Sequence, residues 1–182
     1  MKNEDFDQAI DYLVQELEKD STRMDFLAEI GQLYYFQEKY KLAFPYYQRL
    51  DALRNQQNLD IYKEENLKLA VCYRSMGLTE EAARFFKSYA EACDQNKSLY
   101  KPLLLGSKYA YEGNYEKAIE QYRLFPNEGN FPFPILKFMD KDPITAPFRD
   151  DPDFIQSIKK IEQRFFEDQT ELKRKLTKKD LL

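Results

Sequence analysis

The strongest constraint on this chain is a recurrence of small residues at fixed offsets. The segments FDQAIDYLVQEL from Phe6, YKLAFPYYQRL from Tyr40, TEEAARFFKSY from Thr79 and YEKAIEQYRLF from Tyr115 each carry alanine at the fourth place. Those alanines, Ala9, Ala43, Ala82 and Ala118, stand 34, 39 and 36 residues apart. Three of the segments follow a second pattern, LAEIGQLYYFQEK, NLKLAVCYRSMG or PLLLGSKYAYEG, in which a small residue precedes a tyrosine by three places. The pairs are Gly31/Tyr34, Ala70/Tyr73 and Gly106/Tyr109, and in all three the small residue precedes the next alanine by 12 places. A period of this length predicts stacked units, each too small to bury its apolar face alone.

The offsets suit a pair of antiparallel helices in every unit. The small residue on the first helix and the alanine on the second let two backbones approach closely. Aromatic residues then fill the remaining space: Tyr34, Tyr73 and Tyr109 one turn after the small residue, Tyr47, Phe86 and Tyr122 one turn after the alanine. Gly77 and Gly113 stand where a first helix would end in the left-handed conformation. The composition agrees, since 43% hydrophobic and 15% aromatic residues exceed what a disordered chain carries, and only 5 glycines argue against a turn-rich β fold. The prediction is an all-α chain, a superhelix of antiparallel helix pairs closed by a C-terminal capping helix.

Leu105, Gly106, Tyr109, Gly113, Tyr115, Ala118 and Tyr122 resemble the tetratricopeptide repeat (TPR) family pattern of leucine-glycine, tyrosine, glycine-tyrosine, alanine and aromatic. The resemblance covers Met24 to Pro126, and Phe6 to Leu17 looks like the second helix of a unit whose first helix is missing, either an N-terminal cap or a sign of truncation. It implies a half repeat plus three full repeats over residues 1–126, with 127–182 a connector and capping helix of the same domain. Leu50, Tyr89 and Phe125 replace the small residue that the family places late in the second helix, so wider inter-unit packing is expected. Pro45, near the start of a second helix, predicts a mild local distortion.

After Pro126 the prolines at 126, 132, 134, 143, 147 and 152 exclude one long helix, although ILKFMDK suits a short one. The stretch DKDPITAPFRDDPDFIQSIKKIE resembles the closing segment that follows repeats in some bacterial signalling proteins, including regulators and cyclases. The helix expected from about Asp151 carries Phe154, Ile158, Ile161, Phe165, Leu172 and Leu176 at nearly heptad spacing, broken by Asp168. This stripe is read either as a cap over the exposed end of the repeats or as the seam of a homodimer. The run KRKLTKK, Lys173 to Lys179, reads as a solvated helix end.

The function classes narrow by exclusion. A net charge of -4 and a pI near 5.1 do not supply the basic footprint that nucleic acid requires. No stretch approaches 18 uninterrupted apolar residues and no apolar signal core opens the chain, so no membrane contact and a cytoplasmic location are expected, although a leader removed beforehand would leave no trace. Histidine is absent, which removes the usual general base and the commonest metal ligand. Cys72 and Cys93 are expected to stay reduced and to behave as buried hydrophobes. Adjacent carboxylates such as Glu64/Glu65, Glu80/Glu81 and Asp150/Asp151 point to different sides of a helix, and no phosphate loop, zinc spacing or nucleophile motif is present. No enzyme, cofactor or metal is therefore expected.

The TPR resemblance implies a concave face lined by the first helices. Matching positions are Gln32, Tyr35, Phe36, Val71, Arg74, Ser75, Ser107 and Tyr111, an aromatic groove with one fixed positive charge; contact with the neighbouring unit is the equal alternative for several of them. The paired lysines and asparagines by which chaperone-binding family members hold a terminal carboxylate have no counterpart, so no affinity for that class of peptide is expected. The expectation is a non-catalytic scaffold or adaptor for a protein or peptide segment within a bacterial signalling system. The alternative is a structural protein that dimerises through its last helix.

Overall fold

The computed structural model describes residues 3–125 and 138–179. Among them every regular element is helical: α1 Asn3–Lys19, α2 Met24–Phe36, α3 Tyr40–Gln56, α4 Glu65–Ser75, α5 Thr79–Gln95, α6 Lys101–Tyr111, α7 Tyr115–Leu124, a 3-10 turn Pro143–Phe148, and α8 Pro152–Thr177. Adjacent helices pack in chain order as hairpins, α2 with α3, α4 with α5 and α6 with α7, the arrangement of an α-α superhelical repeat fold. The chain divides into two compact units, Met1–Gln95 and Asn96–Leu182.

All three hairpins turn by the same device. The carbonyls of Tyr34, Tyr73 and Tyr109 accept the amides of Lys39, Leu78 and Asn114 at 3.0, 3.0 and 2.9 Å, across a residue in the left-handed region. The carbonyls of Lys39, Leu78 and Asn114 then accept the amides of Ala43, Ala82 and Ala118, which starts the second helix. Gly77 and Gly113 hold the left-handed position at φ 77° and 78°, whereas the first hairpin places Glu38 there at φ 57°. A side chain in this conformation costs about 1 kcal/mol. Glu38→Gly is therefore expected to stabilise the chain by up to about 1 kcal/mol and Gly113→Ala to destabilise it by about as much, since a Cβ at Gly113 meets nothing within 4 Å. Urea denaturation checks both signs; a loss of stability in Glu38→Gly would contradict this account of the turn.

In Met1–Gln95, α1 packs on α2, and α4 packs on both α2 and α3. The core holds Phe6, Ile10, Leu13 and Leu17 of α1, Leu27, Ile30 and Tyr35 of α2, Ala43, Tyr47 and Leu50 of α3, and Leu69, Ala70 and Cys72 of α4. The glycine of α2 is occupied from across the hairpin: a Cβ built on Gly31 would lie 2.9 Å from the Tyr47 ring. In α4 the matching residue is Ala70, and there Phe85 and Tyr89 are buried while Phe86 is only half-buried. Tyr73 stacks on Phe85, with ring centroids 5.3 Å apart and planes inclined by 13°. Helix α3 runs unbroken through Pro45. The missing amide leaves the Lys41 carbonyl without its helical donor, and both residues are exposed, so water can take its place.

In Asn96–Leu182 the Gly106 arrangement repeats, a Cβ there lying 3.0 Å from the Tyr122 ring. The Tyr122 hydroxyl lies 3.0 Å from Ser107 Oγ, which itself donates to the Leu103 carbonyl at 3.2 Å. Two Asp-Pro pairs organise the entry to the last helix. Asp142 accepts the Ile144 amide at 3.0 Å and opens the 3-10 turn; Asp151 accepts the amides of Asp153 and Phe154 at 2.9 and 3.2 Å and caps α8. Phe148 sits among Tyr115, Tyr122 and Phe154, with centroids 5.7, 5.9 and 5.1 Å away. Phe154 and Ile161 are each 1% exposed, and this first part of α8 lies on α7. The short helix expected over ILKFMDK falls mostly outside the described residues; in its last four, Lys141 N donates to the Phe138 carbonyl at 3.0 Å, closing a turn.

Both cysteines are free and buried. Burial pushes the Cys72 thiol from 9.0 to about 12, against a smaller opposing pull from Lys68. Burial likewise raises the phenols of Tyr47 and Tyr122 well above their ordinary value, Tyr47 also feeling the charge of Glu65. These groups stay neutral in the folded chain while their unfolded counterparts ionise, so the unfolded state gains by losing protons and stability falls as pH rises. The stabilisation is complete below the ordinary thiol value of 9.0 and is lost progressively towards about 12. Melting temperatures are expected to drop steeply above about pH 9, with a shallower slope in Cys72→Ala. A flat profile through this range would refute the assignment.

Candidate functional site

The groove positions implied by the sequence divide between the two units. In Met1–Gln95, Tyr35 is fully buried against Phe36 and Tyr40, with centroids 5.8 and 5.9 Å away, and Val71 is 8% exposed. Both are core residues and offer no surface to a partner, because the α2 and α4 faces that carry them are covered within the unit. Gln32 and Phe36 are half-buried, and Arg74 and Ser75 are exposed at the end of α4, where the Ser75 hydroxyl donates to the Cys72 carbonyl at 2.7 Å. In Asn96–Leu182, Ser107 is engaged by Tyr122 and Leu103, and Tyr111 is half-buried.

Of these residues Ser75 borders an open depression of about 400 Å³. Its walls are Glu38, Lys39, Tyr40, Lys41, Leu42 and Ser75, so the α2–α3 turn faces the end of α4. Leu42 is 50% exposed there, an apolar side chain beside a ring of mixed charge. Arg74 adds a guanidinium next to Ser75, with its planar donor fork suited to a carboxylate. The hairpin turn positions this surface: the left-handed residue at Glu38 swings Lys39 and Tyr40 across the end of α2.

A second cluster in the same unit was not foreseen from the sequence. Arg54 is 5% exposed and donates four hydrogen bonds: to the carbonyls of Ile61 and Tyr62 at 3.3 and 2.8 Å, to Asp51 Oδ1 at 2.7 Å, and to Asn66 Oδ1 at 2.8 Å. Asn66, itself buried, donates onward to Ser88 Oγ at 3.0 Å. The network joins α3, α4, α5 and the 57–64 loop, in which Asn58 and Tyr62 adopt the left-handed region at φ 53° and 55°. It lines a cleft of about 270 Å³ with Asp60, Lys63 and Arg84 at its rim. Its signal in the sequence was indirect: the spacing of 39 residues between Ala43 and Ala82 is the longest of the three, and this loop accounts for the excess.

Among the described residues no cluster of histidine, cysteine, aspartate and glutamate could hold a metal ion, and no helix is long and apolar enough to cross a membrane. No protein-family model matches the chain. Over 101 residues, 52% of its length, the chain is 32% identical to the transcriptional activator NprA of Geobacillus stearothermophilus. The matched part is 25% of that protein, so the chain spans about a quarter of this relative.

Proposed function

We propose that this chain is a TPR-like protein-interaction module of a regulatory system, without catalytic activity, that holds a peptide or protein segment against the exposed ends of its first helices. The observation that carries this reading is the depression walled by the α2–α3 turn and Ser75, with Leu42 half-exposed in its wall and Arg74 exposed next to Ser75 in the chain. The preferred ligand is an extended segment carrying one apolar side chain, for Leu42 and Tyr40, and one carboxylate for Arg74. Partial likeness to a transcriptional activator supports the regulatory setting. The absence of histidine and the raised, buried Cys72 thiol support the non-catalytic part, since neither a general base nor a thiolate nucleophile is supplied.

The test is selection of binders from a random peptide library on the intact chain, followed by calorimetry on the enriched sequences. The reading expects enriched peptides to share an acidic and an apolar residue, and Arg74→Ala and Leu42→Ala each to weaken them roughly tenfold, or about 1.4 kcal/mol, with melting temperature unchanged. Peptides that bind both variants as well as the parent would overturn it.

A further inference from the structure

The last helix outruns the hairpin it covers. At 1.5 Å per residue, the 26 residues of α8 extend about 39 Å, against about 15 Å for the 10 residues of α7. After Ile161 no described residue of α8 is buried, and Leu172 is 51% exposed. Yet the apolar stripe does not stop. At 100° per residue Phe154, Ile158, Ile161, Phe165, Leu172 and Leu176 stay within about 40° of one line, so the face that is covered at Phe154 and Ile161 continues past the end of its support.

The charges flanking the overhang are segregated along its length. Residues 162–171 carry Glu162, Glu167, Asp168 and Glu171 against Arg164 alone, and residues 173–179 carry Lys173, Arg174, Lys175, Lys178 and Lys179 with no acid. Glu171 pairs within the helix with Arg174 and Lys175 at 3.0 and 3.4 Å. Among the described residues no ion pair engages Glu162, Asp168, Lys173 or Lys179. A parallel partner of the same sequence would set the basic end against itself. An antiparallel one sets it against the acidic turns.

We propose that residues 162–179 form an antiparallel helix pair with the same segment of a second copy of this chain. Crossing near Gln169 places Leu172 opposite Phe165 of the second copy and brings Lys173 to its Glu162 on the same side of the seam. The seam is thus the distal half of the stripe, while the proximal half serves as the cap, so the two roles that the sequence left as alternatives occupy successive turns of one helix.

Sedimentation equilibrium on the full chain tests this. A reversible monomer–dimer equilibrium is expected, weakened between about 0.1 and about 1 M salt as the charge pairing is screened. Leu172→Glu should raise the dissociation constant at least about tenfold without changing the helical signal or the melting of the monomer, because Leu172 touches no core. Lys173→Glu should raise it too, because it sets a carboxylate against Glu162 of the second copy. Under oxidation, Gln169→Cys should cross-link the dimer and Lys179→Cys should not. A monomer at every concentration, a dimer indifferent to Leu172→Glu, or preferential cross-linking through Lys179→Cys would overturn the proposal.

Discussion

Gly31→Leu is expected to destabilise the chain by about 3 kcal/mol, a roughly 150-fold fall in the folding equilibrium. The cause is a specific collision. A Cβ at Gly31 would stand 2.9 Å from Cε1 and Cζ of Tyr47 and 3.1 Å from its Cδ1, so the ring would have to shift to admit it. Tyr47 is 0% exposed and has no space into which to retreat. The better helix propensity of leucine, about 0.8 kcal/mol over glycine, opposes this but is smaller. If the ring is the obstacle, Gly31→Leu/Tyr47→Ala should lose at least about 1 kcal/mol less than the sum of the two single changes, because the new side chain enters the space that the ring vacates. Gly106→Leu should behave alike against Tyr122, where the same contact is 3.0 Å. Urea denaturation of the four proteins checks the cycle, and strict additivity would mean that glycine is there for another reason.

Arg54→Met is expected to cost about 3–5 kcal/mol. The change removes four hydrogen bonds at once, leaves the Ile61 and Tyr62 carbonyls and the buried Asn66 amide oxygen without this donor, and leaves Asp51 with Asn55 alone. Arg54→Lys should restore little, because one ammonium cannot reach both carbonyls and both side chains from a single point. The loss should be local in its consequences. Hydrogen exchange and proteolytic cleavage are expected to rise first in residues 57–64, the loop that the guanidinium ties to α3 and α4. Cleavage spread evenly over the helices, or a loss under about 1 kcal/mol, would show that the loop is held by something else.

How much of this was legible beforehand differs from element to element. The hairpins were, because their signal is local and repeated: three small residues 12 places before three alanines can serve only one face of a helix pair. The stops at Gly77 and Gly113 were legible for the same reason, as glycine takes a positive φ without the steric cost of a Cβ. Glu38 was not, because nothing local marks a glutamate as the residue that takes the left-handed turn; its place comes from the equivalence of the first hairpin to the other two. The Asp-Pro starts at 142 and 151 were half legible: the pattern announced the last helix, while the capped 3-10 turn before it needed the packing of Phe148.

The surface was the least legible part. Matching positions to a repeat pattern names residues on the first helices, but whether a given side chain lines a groove or fills the unit depends on how far the next helix covers it. Tyr35 and Val71 went inside and Arg74 and Ser75 stayed out, though the four share the same register rule. Arg54 shows the converse. A charged residue in an amphipathic helix reads as solvated, and only the return of the 57–64 loop over it supplies the acceptors that make its burial tolerable.

By itself, then, the order of residues determined the helical class, the pairing of helices and the points where α4 and α6 end. These come from steric facts at single positions: a missing Cβ, a positive φ, an apolar face at helical spacing. Tertiary structure alone decided which aromatic fills which glycine, which polar groups are sealed inside, and where along α8 the apolar stripe loses its cover. Those outcomes depend on solvent being excluded by segments distant in the chain, and no local pattern records the position of such a neighbour.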